Sequence, residues 1–341
     1  MPSTITRRAF GAAAAAALAA PFIRRADAAA PIELRCSLDT APSHPRNVAY
    51  RDYLSKIEAA SDGQITTKLF ESGALFPDLQ VVKALVQGQV EMACPGSWTL
   101  TGFVPDADFS ELPALYGRPV EVVHKATDGE AGKLVSSKIT DKLHVETLGG
   151  WFDLGFFNWF STRKPISTLA DLNGMKLRSP GGVLISWRIH YFGAIPNVTA
   201  WPDVPLAMSQ GTFDGLISSN ESCNSSKLYD SGLRHSLQDR QAMALYVPMV
   251  SQAFWGKIGP KLQETMLKLW AENLPTWRAN TAKSQQNARD ELARHGVAFT
   301  DAPQADLDAV HAKMVGQQAK AISDAHISPE LVKLVMAEVG A

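Results

Sequence analysis

Cysteine is scarce in this chain. Cys36, Cys94 and Cys223 stand far apart among 341 residues. An odd, widely spaced set makes neither a disulfide framework nor a metal knuckle, so all three are expected as small buried apolar residues. Catalytic signatures are missing as well. There is no G-x-S-x-G elbow, no H-E-x-x-H helix and no Walker loop, and Gly149-Gly150 and Gly181-Gly182 build no dinucleotide fingerprint. The eight histidines lack paired ligand spacing. The expectation is therefore no catalytic residue, no cofactor and no metal. Nor is there an excess of one charge. The first 30 residues carry four arginines and one aspartate, and setting them aside reduces 33 basic and 34 acidic groups to 29 and 33, a net charge of −4. A mildly acidic chain without Lys/Arg clusters argues against nucleic acid or an anionic membrane as partner. After residue 30 no run approaches the roughly 20 apolar residues a membrane-spanning helix needs.

What is present begins with a leader. Arg7-Arg8 and Phe10 precede an alanine-rich run, and small residues around 26–30 offer cleavage sites. This pattern is that of an export signal over residues 1–30, and the paired arginines fit the twin-arginine route. The expected location is the periplasm.

The rest reads as alternating strands and helices. Ile32, Leu34, Cys36 and Leu38 alternate with polar residues, as a strand requires. Tyr50, Tyr53, Leu54 and Ile57 share one helical face. Strands are expected at 64–70, 90–93, 151–160, 176–178 and 213–217, with helices around 79–87, 183–192 and 203–210. This order signals parallel α/β sheets. One echo joins the halves: Gln87-Gly88-Gln89-Val90-Glu91 matches Gln210-Gly211-Thr212-Phe213-Asp214, a helix stop entering a strand. From residue 259 the chain reads as helical, with Pro275 expected to kink or interrupt it and a helix from about Thr281 to Gly296.

The segment 163–180 carries the most specific pattern. It runs from Pro165-Ile166 through Asp171-Leu172-Asn173-Gly174 to Lys176-Leu177-Arg178. With His44-Pro45, Gly102-Phe103-Val104-Pro105, Leu112-Pro113, Gly150-Trp151, Gly155-Phe156 and Gln210–Gly215 in order, it resembles the solute-binding subunits of tripartite ATP-independent periplasmic (TRAP) transporters, the dicarboxylate-binding type. The resemblance implies a two-lobed periplasmic binding protein fold of the α/β class, with hinge strands and a long bent helix spanning both lobes. Lobe I would hold 31–154 and lobe II 155–246, with 247–341 supplying a returning strand and bracing helices. The partners implied are a small organic acid and the small and large TRAP membrane subunits.

Site residues follow from the same resemblance. Arg178 falls on the family's carboxylate-binding arginine, and a guanidinium fork suits a carboxylate. The turn after it is expected to add backbone N–H donors. Asn158 occupies the position of a second family arginine, which argues for a monocarboxylate: a 2-oxo, hydroxy or aromatic acid. Either Ser218 or Asn220 could supply a family polar contact. Trp98, Trp151, Phe157, Trp159 and Trp201 are candidate walls. Asp39 and His44 are expected to cap the following turn rather than to touch solute. Two other classes share the general pattern: a binding subunit of another transporter type, and a periplasmic enzyme acting on organic acids.

Overall fold

The computed structural model describes residues 30–340; the leader expected over residues 1–30 falls, except for Ala30, outside them. Alternation forms the first strand, β1 (Ile32–Ser37): Leu34 and Cys36 are buried and Glu33 is exposed. Helix α1 (Pro45–Ala60) begins where His44 accepts the Arg46 N–H and Pro45 fills the first turn, which needs no donor of its own. Strand β2 (Ile65–Phe70) pairs parallel with β1. Helix α2 (Asp78–Val86) ends at left-handed Gly88 (φ +67°) before β3 (Met92–Ala93). Short 3-10 turns occupy 97–115, and α3 (Val120–Asp128), α4 (Glu130–Leu143) and β4 (Val145–Thr147) follow.

The second half is built similarly. It contains β5 (Phe152–Ser161), β6 (Lys176–Ser179), α5 (Val183–Tyr191), β7 (Ile195–Val198), α6 (Val204–Ser209), β8 (Gly215–Ser218), α7 (Asn220–Ser225) and β9 (His235–Tyr246). Gly211 (φ +71°) follows α6 as Gly88 follows α2, so the repeated Gln-Gly pair is the same helix stop in both halves. Asp203 stands at the N-cap of α6, but its side chain caps nothing. The chain closes with β10 (Met249–Ser251), α8 (Gln252–Arg294), β11 (Ala298–Asp301), α9 (Gln304–Val315), α10 (Gln318–Ala325) and α11 (Pro329–Val339).

Two sheets result, one per lobe, with strand orders β2-β1-β3-β10-β4 and β11-β9-β5-β8-β6-β7. The chain passes from the first to the second between β4 and β5 and returns between β9 and β10. Helix α8 ties the lobes. Tyr53 of α1 donates its hydroxyl to Met266 O at 2.9 Å, whereas Gln285 donates to Leu154 O at 2.7 Å and accepts from Glu221 N of α7. Tyr53, Trp270 and Trp277 pack edge-on or tilted at 5.2–5.8 Å, pairs worth about 0.5–1.5 kcal/mol each beyond their buried area.

The expected break at Pro275 is corrected. Helical backbone runs through Pro275 to Arg294, so no separate helix starts at Thr281. Leu274 and Trp277 are buried on either side of the proline, and their packing outweighs one missing hydrogen bond. The interruption lies earlier, at Gly259 (φ +75°, ψ +165°) before Pro260. An extended residue before proline avoids the ring clash, and positive φ suits glycine. The three cysteines are free and buried.

Candidate functional site

The sheets bring Arg178 to a narrow cavity of about 20 Å³ between the lobes. One wall comes from the first half: Asp39 after β1, Asp78 opening α2, and Trp98. The other comes from Phe157, Arg178, Pro180, Trp201, Ser218 and Ser222, with Leu154 and Tyr246 where β5 and β9 meet the first lobe. Arg178 lies on β6 between β7 and β8 and is 2% exposed. Its Nε donates to Thr199 O at 3.0 Å, and its guanidinium sits 5.1 Å over the Trp201 ring. Nη2 stands 3.9 Å from Asp78 Oδ2, too far for a hydrogen bond. Burial lowers its pKa, with Asp78 and then Asp39 opposing the shift. It remains a cation whose terminal nitrogens make no hydrogen bond among the described residues.

The acids opposite are held by different partners. Asp78 Oδ1 accepts from the backbone of Trp201 at 3.0 Å, a bond between the two lobes. Burial first, and the Asp39 charge second, push the Asp78 carboxyl up to about 6, against Arg178 and the N–H groups of Trp201 and Leu79. Asp39 accepts from Arg46 Nη2 at 2.5 Å. Arg46 also donates to Cys94 O and Thr40 Oγ1 and lies 3.8 Å over the Tyr246 ring, so this cation is spoken for. His44 is buried, and burial first and Arg46 second hold its pKa well below the usual range. The ring is neutral. Its Nδ1 accepts from Arg46 N, so the proton sits on Nε2, which donates to Ser222 Oγ at 3.2 Å across the lobes.

Trp98 packs against Phe157 at 5.3 Å and Tyr246 at 5.7 Å. Its indole N–H is buried without a partner among the described residues. Two glycines make its place: a Cβ on Gly96 would lie 2.1 Å from the indole, and one on Gly182 (φ +84°) 2.9 Å from Trp98 Cβ. In the turn after Arg178, helix α5 carries an N–H that is already taken by an acid. Asp108 Oδ2 accepts the Leu184 N–H of α5 at 2.7 Å. Burial first, and Glu111 second, push Asp108 up to about 7.

Of the residues singled out in the sequence, Arg178, Trp98, Trp201, Ser218 and Phe157 share this cavity. Asn158 does not. It neighbours Phe157 on β5, so its side chain turns to the opposite face, where its Oδ1 accepts from Arg240 N at 3.0 Å. There it lines a separate cavity with Asn220, Gln238 and Gln285. Asn220 parts from Ser218 because β8 ends at Ser218 and Asn220 begins α7, so strand alternation no longer applies. Trp151 is core: its indole donates to Ser136 Oγ at 3.1 Å and its ring meets Phe109. Trp159 donates to Asp239 at 2.7 Å, away from Arg178. His44 caps α1 as expected, whereas Asp39 lines the cavity. Asp78 and Tyr246 gave no signal beyond an acid in a first helical turn and a strand end. Among the described residues no cluster of three or more His, Cys, Asp or Glu is arranged to hold a metal, and no helix is long and apolar enough to cross a membrane.

Comparison with known proteins fits this geometry. Residues 37–323 match the model of DctP, bacterial extracellular solute-binding protein family 7. The C4-dicarboxylate-binding periplasmic protein DctP of Rhodobacter capsulatus is 26% identical over 289 residues, covering 84% of each chain. Among solved structures, the sugar acid binding protein of Advenella mimigardefordensis in complex with galactonate superposes with a TM-score of 0.85 at 21% identity, covering 91% of this chain and 98% of that one. A TRAP periplasmic solute-binding protein of Desulfovibrio salexigens with bound orotic acid gives 0.83 at 21% identity, covering 90% and 98%. With most of its length matched, this chain belongs to bacterial extracellular solute-binding protein family 7, the DctP family of TRAP solute-binding proteins.

Proposed function

We propose that this protein is exported by the twin-arginine route, binds a small organic monocarboxylate in the periplasm, and delivers it to the small and large membrane subunits of a TRAP transporter. The lobes correspond to 31–154 and 155–246, braced by 247–341. The observation that carries the reading is the state of Arg178: a buried cation in an interlobe cavity, with both terminal nitrogens uncommitted. A carboxylate accepting from that fork would make two charge-assisted hydrogen bonds away from water. Trp98 Nε1 and Ser218 Oγ offer further donors at the same cavity. Phe157, Trp201 and Tyr246 supply the apolar walls expected of a small-molecule pocket.

The charge count supports one carboxylate rather than two. Among the described residues Arg178 is the only cation lining the cavity, while Asp39 and Asp78 line it too. A second ligand carboxylate would meet these acids without a free cation to receive it. No chemistry is asked of the protein. Binding in an interlobe cleft and release on opening suffice for delivery.

A thermal-shift screen of the mature protein against small organic acids, repeated with Arg178→Ala, tests the reading. An acid at 100 times its Kd should stabilise the protein by about 2.7 kcal/mol, visible as several degrees in Tm. Monocarboxylates should shift the wild type and leave the variant unmoved. A dicarboxylate binding with micromolar Kd, or a variant that responds equally, would refute it.

A further inference from the structure

Asp39 and Asp78 raise a problem that a plain carboxylate does not solve. Both are at most 9% exposed and both line the cavity that Arg178 enters. Asp78 uses one oxygen for the Trp201 N–H and turns the other toward Arg178 at 3.9 Å. Asp39 has one hydrogen bond, from Arg46. Leaving a carboxylate buried with unused lone pairs is costly, and a ligand anion at Arg178 adds a third negative charge beside them. Trp98, which lines the cavity, has an indole N–H buried without a partner among the described residues, a donor that a polar ligand group would satisfy.

We infer that Asp39 and Asp78 are specificity-determining acceptors, and that the solute is a monocarboxylate carrying a hydrogen-bond donor, a hydroxyl or an ammonium, on the carbon next to its carboxylate. Asp78 Oδ2 stands 3.9 Å from the Arg178 nitrogen, so a group on the carbon next to a carboxylate gripped by Arg178 is within its reach. A donor there satisfies the free Asp78 oxygen. A 2-oxo group presents another acceptor to an acceptor and is disfavoured. This inference rests on the Arg178 reading and narrows it, since 2-oxo acids drop out.

The two donors differ in their proton balance. The charged and titratable groups around Asp78 are Asp39, Arg178 and Tyr246, with Arg46 behind Asp39 and Cys223 beside Arg178. Burial raises the pKa of both Tyr246 and Cys223, so neither ionises near neutrality. Both donors need the free Asp78 oxygen as an acceptor, so binding favours its ionised form and affinity rises with pH through about 6. The ammonium also offsets the negative charge of the ligand, so its pH dependence is the steeper of the two.

Calorimetric titration of the mature protein with lactate, pyruvate and alanine, and with 2-hydroxyisovalerate, 2-oxoisovalerate and valine, tests this at pH 5.5 and 7.5. The hydroxy or amino member of at least one series should bind about tenfold to a hundredfold more tightly than its 2-oxo counterpart. Asp78→Asn, which keeps an acceptor for the Trp201 N–H, should abolish the pH dependence. Affinity should rise with pH, more steeply for the amino member than for the hydroxy member, and affinity falling with pH overturns the acceptor role. If 2-oxo acids bind as tightly as their partners, or Asp78→Asn leaves the pH profile unchanged, the acceptor role fails while the Arg178 reading stands. If none of the six binds, both fail.

Discussion

Arg178 and Arg188 lie ten residues apart in sequence, and both are almost wholly withdrawn from solvent, at 2% and 1% exposed. Their surroundings differ. Arg188 of α5 donates through Nη1 to Glu111 Oε2 at 2.9 Å and Gln241 Oε1 at 3.1 Å, and through Nη2 to Glu111 O. Its charge is consumed in joining α5 to the 3-10 segment that carries Glu111. Arg178 spends one N–H on Thr199 and keeps its fork. Burial alone therefore does not mark a binding arginine. A buried cation whose terminal nitrogens are matched, as those of Arg188 are though its Nε is not, is a structural clamp, whereas one whose terminal fork is left over awaits a ligand.

Substituting both arginines separates the roles most sharply. Arg178→Ala should lower solute affinity more than a hundredfold in a binding titration and leave Tm nearly unchanged, because Asp78 can take up a proton. Arg188→Ala should destabilise the fold by about 3–5 kcal/mol in denaturant unfolding, since Glu111 is then buried and unpaired. Gly182→Ala tests the turn between the two arginines. Strained φ and the close approach to Trp98 should cost about 1–3 kcal/mol of stability. Trp98→Phe keeps the ring and removes the orphan N–H, so affinity should fall by up to about tenfold with Tm unmoved.

Four buried or half-buried acids give a pH test. Burial leads the shifts that push Asp78 and Asp239 up to about 6 and Asp108 and Glu221 up to about 7, from ordinary values near 4. In that window the native state holds more protons than the unfolded chain. Stability is then lost as pH rises from about 4 through about 7. The ligand-free protein should show a higher Tm at pH 5.5 than at pH 8, and Asp108→Asn should reduce the difference.

Much of this comparison was legible in the sequence, and the unread part has physical causes. Arg178 was found because a local motif, from Pro165 to Lys176-Leu177-Arg178, encodes a turn and strand whose end is the site. Leu34 and Cys36, Tyr50 and Tyr53, and the two Gln-Gly stops were readable because period and capping are local. Arg188 had no such signal: its partners Glu111 and Gln241 are 77 and 53 residues away. Asn158 and Asn220 were misplaced for a finer reason. One residue along β5 reverses the face, and the end of β8 at Ser218 cancels the alternation that seemed to pair Ser218 with Asn220. Asp39 was read as a turn cap because nothing local announces Asp78 and Arg178 across the cleft. At Pro275 a strong local rule yielded to the packing of Leu274 and Trp277.

The central claim is that the spare fork of Arg178 holds the solute's carboxylate. Titrating the wild type and Arg178→Lys with the monocarboxylate that gives the largest thermal shift tests it most directly. Lysine keeps the charge but loses both the planar fork and the stacking on Trp201. The account predicts an affinity loss of about tenfold or more with an unchanged Tm; equal affinity in the two proteins would contradict it.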